Sequence, residues 1–126
     1  MKRLLILAAV GETATGVALL VVPSLVGQLL LGAELTGIAM VVARVAGIAL
    51  IALGVACLLA RDDGGSPAQH GLLCGMLVYN TAACGVLGYA GTMLHMAGVL
   101  LWPAVLLHMA MAVWCLRCLG PLPGRK

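Results

Sequence analysis

Four long apolar runs constrain this chain more than any other feature. They span about residues 4–22, 36–60, 71–91 and 98–119, and each is close to the roughly 20 residues that a helix needs to cross a bilayer. Hydrophobic residues make up 63% of the chain and charged residues only 9%, far from the balance of a soluble protein. We predict an all-α membrane protein with one transmembrane domain over residues 1–126, a bundle of four membrane-spanning helices.

The start of the chain also resembles a secretory signal peptide. MKRLLILAAVG has a basic beginning followed by an apolar stretch, as such peptides do. However, Glu12 interrupts the stretch, no A-x-A cleavage pattern follows, and the apolar run continues to Val22. We therefore interpret it as a retained first span.

The basic residues predict how the bundle is oriented. Cytoplasmic loops and ends carry an excess of Lys and Arg. With four spans, six of the seven basic residues lie on one face: Lys2, Arg3, Arg61, Arg117, Arg125 and Lys126. This predicts that both termini are cytoplasmic. Because the positive charge is divided between the chain ends and one short loop, it gives no reason to expect nucleic-acid binding.

The segments between the spans are short. After Pro23, SLVGQLLLG is either a short helix in the membrane interface or a plain loop. RDDGGSPAQH, residues 61–70, is predicted to be a cytoplasmic turn because of its Gly-Gly and Ser-Pro dipeptides. The tail GPLPGRK is predicted to be a cytoplasmic end.

Two charged residues lie deep in the predicted membrane region. Glu12 falls within the first span and Arg44 within the second. Counting 1.5 Å per residue from the span ends leaves the two backbones about 6 Å apart in depth. An unpaired charge at the bilayer centre costs about 2.5–3.5 kcal/mol or more. We therefore predict that Glu12 and Arg44 form an ion pair.

Polar residues in the other spans lie at a similar depth. Asn80 is near the middle of the third span and His108 near the middle of the fourth. One interpretation is that polar residues fix the register of the helices by hydrogen bonding. The other is a buried ligand site of Glu12, Arg44, Asn80 and His108, since ionisable residues within the membrane commonly mark ligand or proton sites. The expected ligand is a small lipophile such as a quinone headgroup or a lipid.

Seventeen glycines in so short a chain indicate close helix packing, because small residues let helix backbones approach each other in lipid. Gly71 and Gly75 form a G-x-x-x-G pair, and Ala43 and Gly47 form a small-x-x-x-small pair. The packing partner is either another helix of the same bundle or a second protomer.

Sulfur-containing residues suggest a second kind of site. Cys115 and Cys118 lie on one stripe of the fourth span with His108 and Met111. Cys57 and Cys74 are predicted to lie at the same depth. Thiolate ligands favour soft ions such as Cu(I), so soft-metal transport of the copper or mercury type through Cys57, Cys74, Cys115 and Cys118 is the alternative function.

The C-x-x-C motif at 115–118 is a poor candidate for thioredoxin-like chemistry. It is predicted at a helix C-terminus, where the helix dipole disfavours a thiolate. Nucleophile elbows, phosphate loops and H-E-x-x-H are absent from the sequence. No residue is assigned a catalytic role, and a non-enzymatic function is favoured.

The pattern resembles the DoxX-like group of small four-helix membrane proteins. The resemblance lies in GETATG in the first span, Pro23 at its end, and ARVAGIALIALG at 43–54, where Arg44, Gly47 and Gly54 match the group's second span. It implies a compact bundle in a bacterial inner membrane. Some members are small subunits of membrane-linked sulfur and quinone redox systems, so it also implies an accessory role.

The sequence thus leaves three functions open: a non-enzymatic accessory or lipophile-binding protein, a soft-metal transporter, and a structural subunit of a larger complex. The expected partners are the bilayer and either a second copy of the chain or a larger membrane complex. Substrate and oligomeric state are not determined by the sequence.

Overall fold

A computed structural model of the protein describes residues 1–120. These residues form five helices: α1 (Lys2–Val21), α2 (Pro23–Leu31), α3 (Ile38–Ala60), α4 (Pro67–Thr92) and α5 (Leu101–Leu119). The four long ones, α1, α3, α4 and α5, are long and apolar enough to cross a membrane. The prediction of a four-span, all-helical membrane protein is confirmed. Most of the tail, including Arg125 and Lys126, lies outside the described residues.

Two helices start more than two residues from the start of the predicted span. α4 begins at Pro67, four residues before the predicted start, because Ser66 caps it: its Oγ accepts a hydrogen bond from the Gln69 backbone N–H at 3.1 Å. A Ser-Pro pair suits a helix start, since Pro is favoured in the first turn. α5 begins at Leu101, three residues later than predicted.

The segment after Pro23 is a helix, so the loop interpretation is wrong. α2 starts with Pro23 in its first turn and ends at Gly32, whose φ of 76° places it in the left-handed region that terminates helices. α2 also packs against the segment that precedes α5. The Leu100 N–H donates to the Leu29 carbonyl oxygen at 2.8 Å, and Gly98 lies directly against the backbone of α2.

α1 and α3 pack with their backbones almost in contact. A Cβ added to Gly47 would come within 2.6 Å of the Gly16 carbonyl oxygen, and one added to Gly54 would collide with Thr13 on α1. The predicted role of Gly47 in close packing is confirmed. By contrast, Gly71 and Gly75 on α4 have nothing within 4 Å of an added Cβ, so their pair does not serve packing between the described helices.

The end of the bundle that carries the α3–α4 turn is closed by a buried cluster. Leu4 and Leu5 of α1 pack there with Cys57, Leu73, Met76 and Cys115 from the other three long helices. The buried Gln69 side chain ties the turn down: its Nε2 donates to the Ala60 carbonyl and its Oε1 accepts from Gly65 N–H.

Lys2 and Arg61 lie at this same end. Lys2 Nζ is 2.6 Å from Asp62 Oδ1, and Arg61 Nε is 3.2 Å from Asp62 Oδ2. The hydrogen bond from Lys2 is the main reason that the pKa of Asp62 is lowered. The structure therefore groups these basic residues at one end, as the orientation argument requires. Which side of a membrane that end faces stays a prediction.

Candidate ligand-binding cavity

A cavity of about 460 Å³ lies between α1 and the α4–α5 pair, with α2 beyond it. It forms because α1 packs mainly on α3 and α4 mainly on α5, so the seam between the two pairs is loosely filled. The buried cluster closes one end of the seam, and α2 joins the pairs at the other. Most of its lining is aliphatic. Its polar side chains are Glu12, Thr15, Tyr79, Asn80 and His108.

Helical spacing explains which side chains reach the cavity. On α1, Ala8, Gly11, Glu12 and Thr15 follow steps of three, one and three, so they share one face. An adjacent face of α1, with Thr13 and Gly16, packs against α3. Glu12 is therefore held on the cavity side of α1.

The cavity reaches the outer surface of the bundle. Leu7 on α1 is 48% exposed and Leu107 on α5 is 58% exposed, and both also line the cavity. In a membrane-spanning bundle, the apolar surface between two such helices is the one that lipid tails cover. The cavity is thus accessible from the side, through the region that faces hydrocarbon.

Asn80 and His108 join α4 to α5 at the polar end of the cavity. His108 Nδ1 is 2.9 Å from Asn80 Oδ1, and Asn80 Nδ2 donates to the Met76 carbonyl at 2.8 Å. Because the Met76 carbonyl can only accept a hydrogen bond, the Asn80 amide must turn its NH₂ group toward Met76. The other end, the amide oxygen, faces His108. His108 Nδ1 must therefore carry a proton and donate it.

Glu12 on α1 and Tyr79 on α4 add two more polar side chains to the cavity lining beside Asn80 and His108. The Glu12 side chain, 8% exposed, lies on the α1 wall of the cavity, and the Tyr79 side chain lies on its α4 wall. The rings of Tyr79 and His108 meet edge to face, with centroids 5.6 Å apart. Three of the four predicted site residues, Glu12, Asn80 and His108, thus line one cavity.

Tyr79 is a site residue that the sequence analysis missed. It precedes Asn80 in the middle of α4, and a Tyr at that depth needs a partner for its hydroxyl. This need for a hydrogen-bond partner is the sequence feature that could have identified Tyr79. Only the tertiary structure shows that Tyr79 and Glu12 line the same cavity.

The predicted ion pair between Glu12 and Arg44 is wrong. Arg44 is exposed and does not line the cavity, and within residues 1–120 the only salt bridges are those to Asp62. The register of α1 and α3 explains the error: Gly47 packs at the level of Gly16 and Leu20, and Arg44 lies almost one turn further from Glu12. At 1.5 Å per residue, this separates the two by about 12 Å or more along the helix axes.

The four predicted metal-ligating cysteines do not form one site. Cys57 and Cys115 are fully buried in the core cluster and Cys118 packs against it, but Cys74 is exposed. α4 turns Leu73 and Met76 inward, and Cys74 between them faces outward. Cys57 Sγ donates to Met76 Sδ at 3.2 Å. No group of three or more His, Cys, Asp or Glu that could hold a metal ion occurs in the part of the chain that the structure describes.

Comparisons with known proteins found no matching family model, no matching curated protein and no matching solved structure. The resemblance to the DoxX-like group is neither supported nor contradicted by these comparisons, and it stays a prediction.

Proposed function

We propose that this multi-pass membrane protein is non-enzymatic and binds a small lipophile in the cavity between α1 and the α4–α5 pair. The observation that carries the proposal is a mostly aliphatic cavity that reaches the lipid-facing surface beside Leu7 and Leu107 and has one polar end. Its volume of about 460 Å³ lies within the range of small-molecule sites.

The polar end provides the selectivity. Lipid tails are as apolar as leucine side chains, so a lipophile gains little from exchanging lipid for the cavity's aliphatic wall. A hydrogen bond is stronger in a medium of low dielectric constant than in water. Glu12 and His108 therefore distinguish a ligand with a matching polar head from an ordinary lipid tail.

The same polar side chains also hold the bundle together. The Asn80–His108 hydrogen bond joins α4 to α5. The interpretation that polar residues fix helix register is therefore compatible with ligand binding. The hydrogen bond between these side chains positions the helices. The polar atoms that hydrogen bonds do not use face the cavity.

A substitution that fills the cavity tests the proposal. Gly11 lines the cavity and has nothing within 4 Å of an added Cβ, so Gly11→Leu introduces a side chain without a clash. We expect an aliphatic diazirine probe in lipid nanodiscs to label wild-type residues around the cavity, as mapped by mass spectrometry. Gly11→Leu is expected to lower this labelling about tenfold, which corresponds to about 1.4 kcal/mol.

Gly85→Leu is the matched control. Gly85 is also a helical glycine with nothing within 4 Å, but it lies on α4 away from the cavity. Its substitution is expected to leave cavity labelling unchanged. Equal labelling of the wild type and both variants would contradict the proposed binding site.

We also propose that the protein resides in a bacterial inner membrane with its N-terminus and the α3–α4 turn in the cytoplasm. The grouping of Lys2 and Arg61 around Asp62 at one end supports this orientation. Reporter fusions inserted at Gly64 and at Glu34 would measure it, since these positions lie in the turns at the two ends of α3. Cytoplasmic activity at Glu34 would overturn it.

A further inference from the structure

Two nitrogen donors at the polar end of the cavity are engaged within the protein. The Asn80 amide donates to the Met76 carbonyl, and His108 Nδ1 donates to Asn80. The hydroxyls of Tyr79 and Thr15 also line the cavity. A hydroxyl both donates and accepts, so neither favours one kind of ligand.

Two acceptors remain at this end of the cavity. With its proton on Nδ1, a neutral His108 ring has a lone pair on Nε2. Nε2 has no hydrogen-bond partner within residues 1–120, and it is not among the atoms there that are sealed from the surface. The Glu12 carboxylate offers about four lone-pair sites.

The charged side chains around the cavity also indicate which kind of ligand it accepts. Among the described residues that line the cavity, Glu12 is the only Asp, Glu, Lys or Arg. The described Lys and Arg residues that form salt bridges, Lys2 and Arg61, pair with Asp62 at one end of the bundle. A carboxylate in a membrane interior is stabilised by a nearby cation, and the lining contributed by residues 1–120 supplies none.

We propose that the ligand is a lipophilic amine, bound with its ammonium group against the Glu12 carboxylate and donating a hydrogen bond to His108 Nε2. An ammonium group of a primary amine is a cation with three N–H donors and no acceptor, so it complements both acceptors. The alkyl part occupies the aliphatic remainder of the cavity. This inference deepens the proposed function and depends on the cavity being a lipophile site.

A carbonyl head fits the same cavity less well. A quinone carbonyl only accepts hydrogen bonds and brings no charge to Glu12, and the His108 Nδ1–H and one Asn80 N–H are engaged within the protein. An alcohol donates one hydrogen bond but brings no charge to Glu12. The expected order of affinity is therefore amine, then alcohol, then ketone.

The experiment compares three competitors with equal chains: dodecylamine, dodecanol and 2-tetradecanone. Each competes with the diazirine probe in phosphatidylcholine nanodiscs, and its concentration is expressed as a mole fraction in the bilayer. For the wild type, we expect dodecylamine to displace the probe at about one tenth of the mole fraction that dodecanol needs. This comparison uses only the wild-type protein, so it does not depend on the folding of a variant.

Glu12→Gln removes the charge while keeping a side chain of nearly the same size. We expect it to abolish the advantage of dodecylamine over dodecanol. Glu34→Gln is the matched control, because Glu34 is exposed, accepts a hydrogen bond from Gln28 and lies outside the cavity. It is expected to keep the wild-type preference.

The outcomes separate this inference from the proposed function. If all three competitors displace the probe equally in the wild type, and Gly11→Leu still lowers labelling, the cavity binds lipophiles but the amine inference is wrong. A preference for dodecylamine that persists in Glu12→Gln also overturns it. If Gly11→Leu has no effect on labelling, the proposed function itself fails.

Discussion

Gly47→Leu is expected to lower the free energy of unfolding by about 3 kcal/mol or more, at the upper end of what overpacking costs. An added Cβ would come within 2.6 Å of the Gly16 carbonyl oxygen and 3.0 Å of the Leu20 nitrogen. Both are backbone atoms of α1, so no side chain can rotate away to make room. The two helices would have to separate along their length, and the buried contacts between them would weaken.

Equilibrium unfolding in mixed micelles, followed by circular dichroism, would measure this effect. Gly85→Leu again serves as the control because its added side chain meets nothing within 4 Å. It carries the same chemical change within a membrane-spanning helix. Equal stabilities of the two variants would show that α1 and α3 do not pack at Gly47.

The second prediction with a large effect concerns the Asn80–His108 hydrogen bond. Asn80 is 1% exposed, so Asn80→Leu leaves the Nδ1–H of His108 without its partner in the protein interior. A lost buried hydrogen-bond partner costs about 1–3 kcal/mol, whereas hydrogen bonds between membrane helices average about 0.6 kcal/mol. We expect Asn80→Leu to lower the free energy of unfolding by about 1–2 kcal/mol.

A double substitution distinguishes the hydrogen bond from simple packing. His108→Phe alone leaves the Asn80 oxygen without its partner, while Asn80→Leu/His108→Phe removes both polar groups. Replacing both partners by apolar groups is nearly neutral, so the double variant is expected to be at least as stable as either single variant. Strictly additive losses would show that the two side chains do not depend on each other.

The cavity follows from how the helices pair. α1 packs on α3 through the close contacts at Gly16 and Gly47. α4 packs on α5 through contacts that include the Asn80–His108 hydrogen bond. The pairs meet fully only at the core cluster and through α2. A seam that is closed at two ends and loose in the middle leaves room for a ligand at mid-depth.

Much of the fold was readable from the sequence because lipid imposes strict conditions. A segment that crosses hydrocarbon must bond its own backbone, so apolar runs of about 20 residues predicted four of the helices. The bilayer also restricts where polar residues are tolerated. That is why Glu12, Asn80 and His108 were recognisable as a group before their contacts were known.

Pairwise contacts were decided by the tertiary structure. The register of α1 against α3, set where Gly16 meets Gly47, separates Arg44 from Glu12. The cavity between the helix pairs brings Tyr79, which the sequence did not single out, into the same lining as Glu12. The rotation of α4 turns Cys74 outward, away from Cys57 and Cys115. Sequence spacing determines which residues share a helix face, but the rotation and axial position of one helix against another depend on how whole surfaces pack.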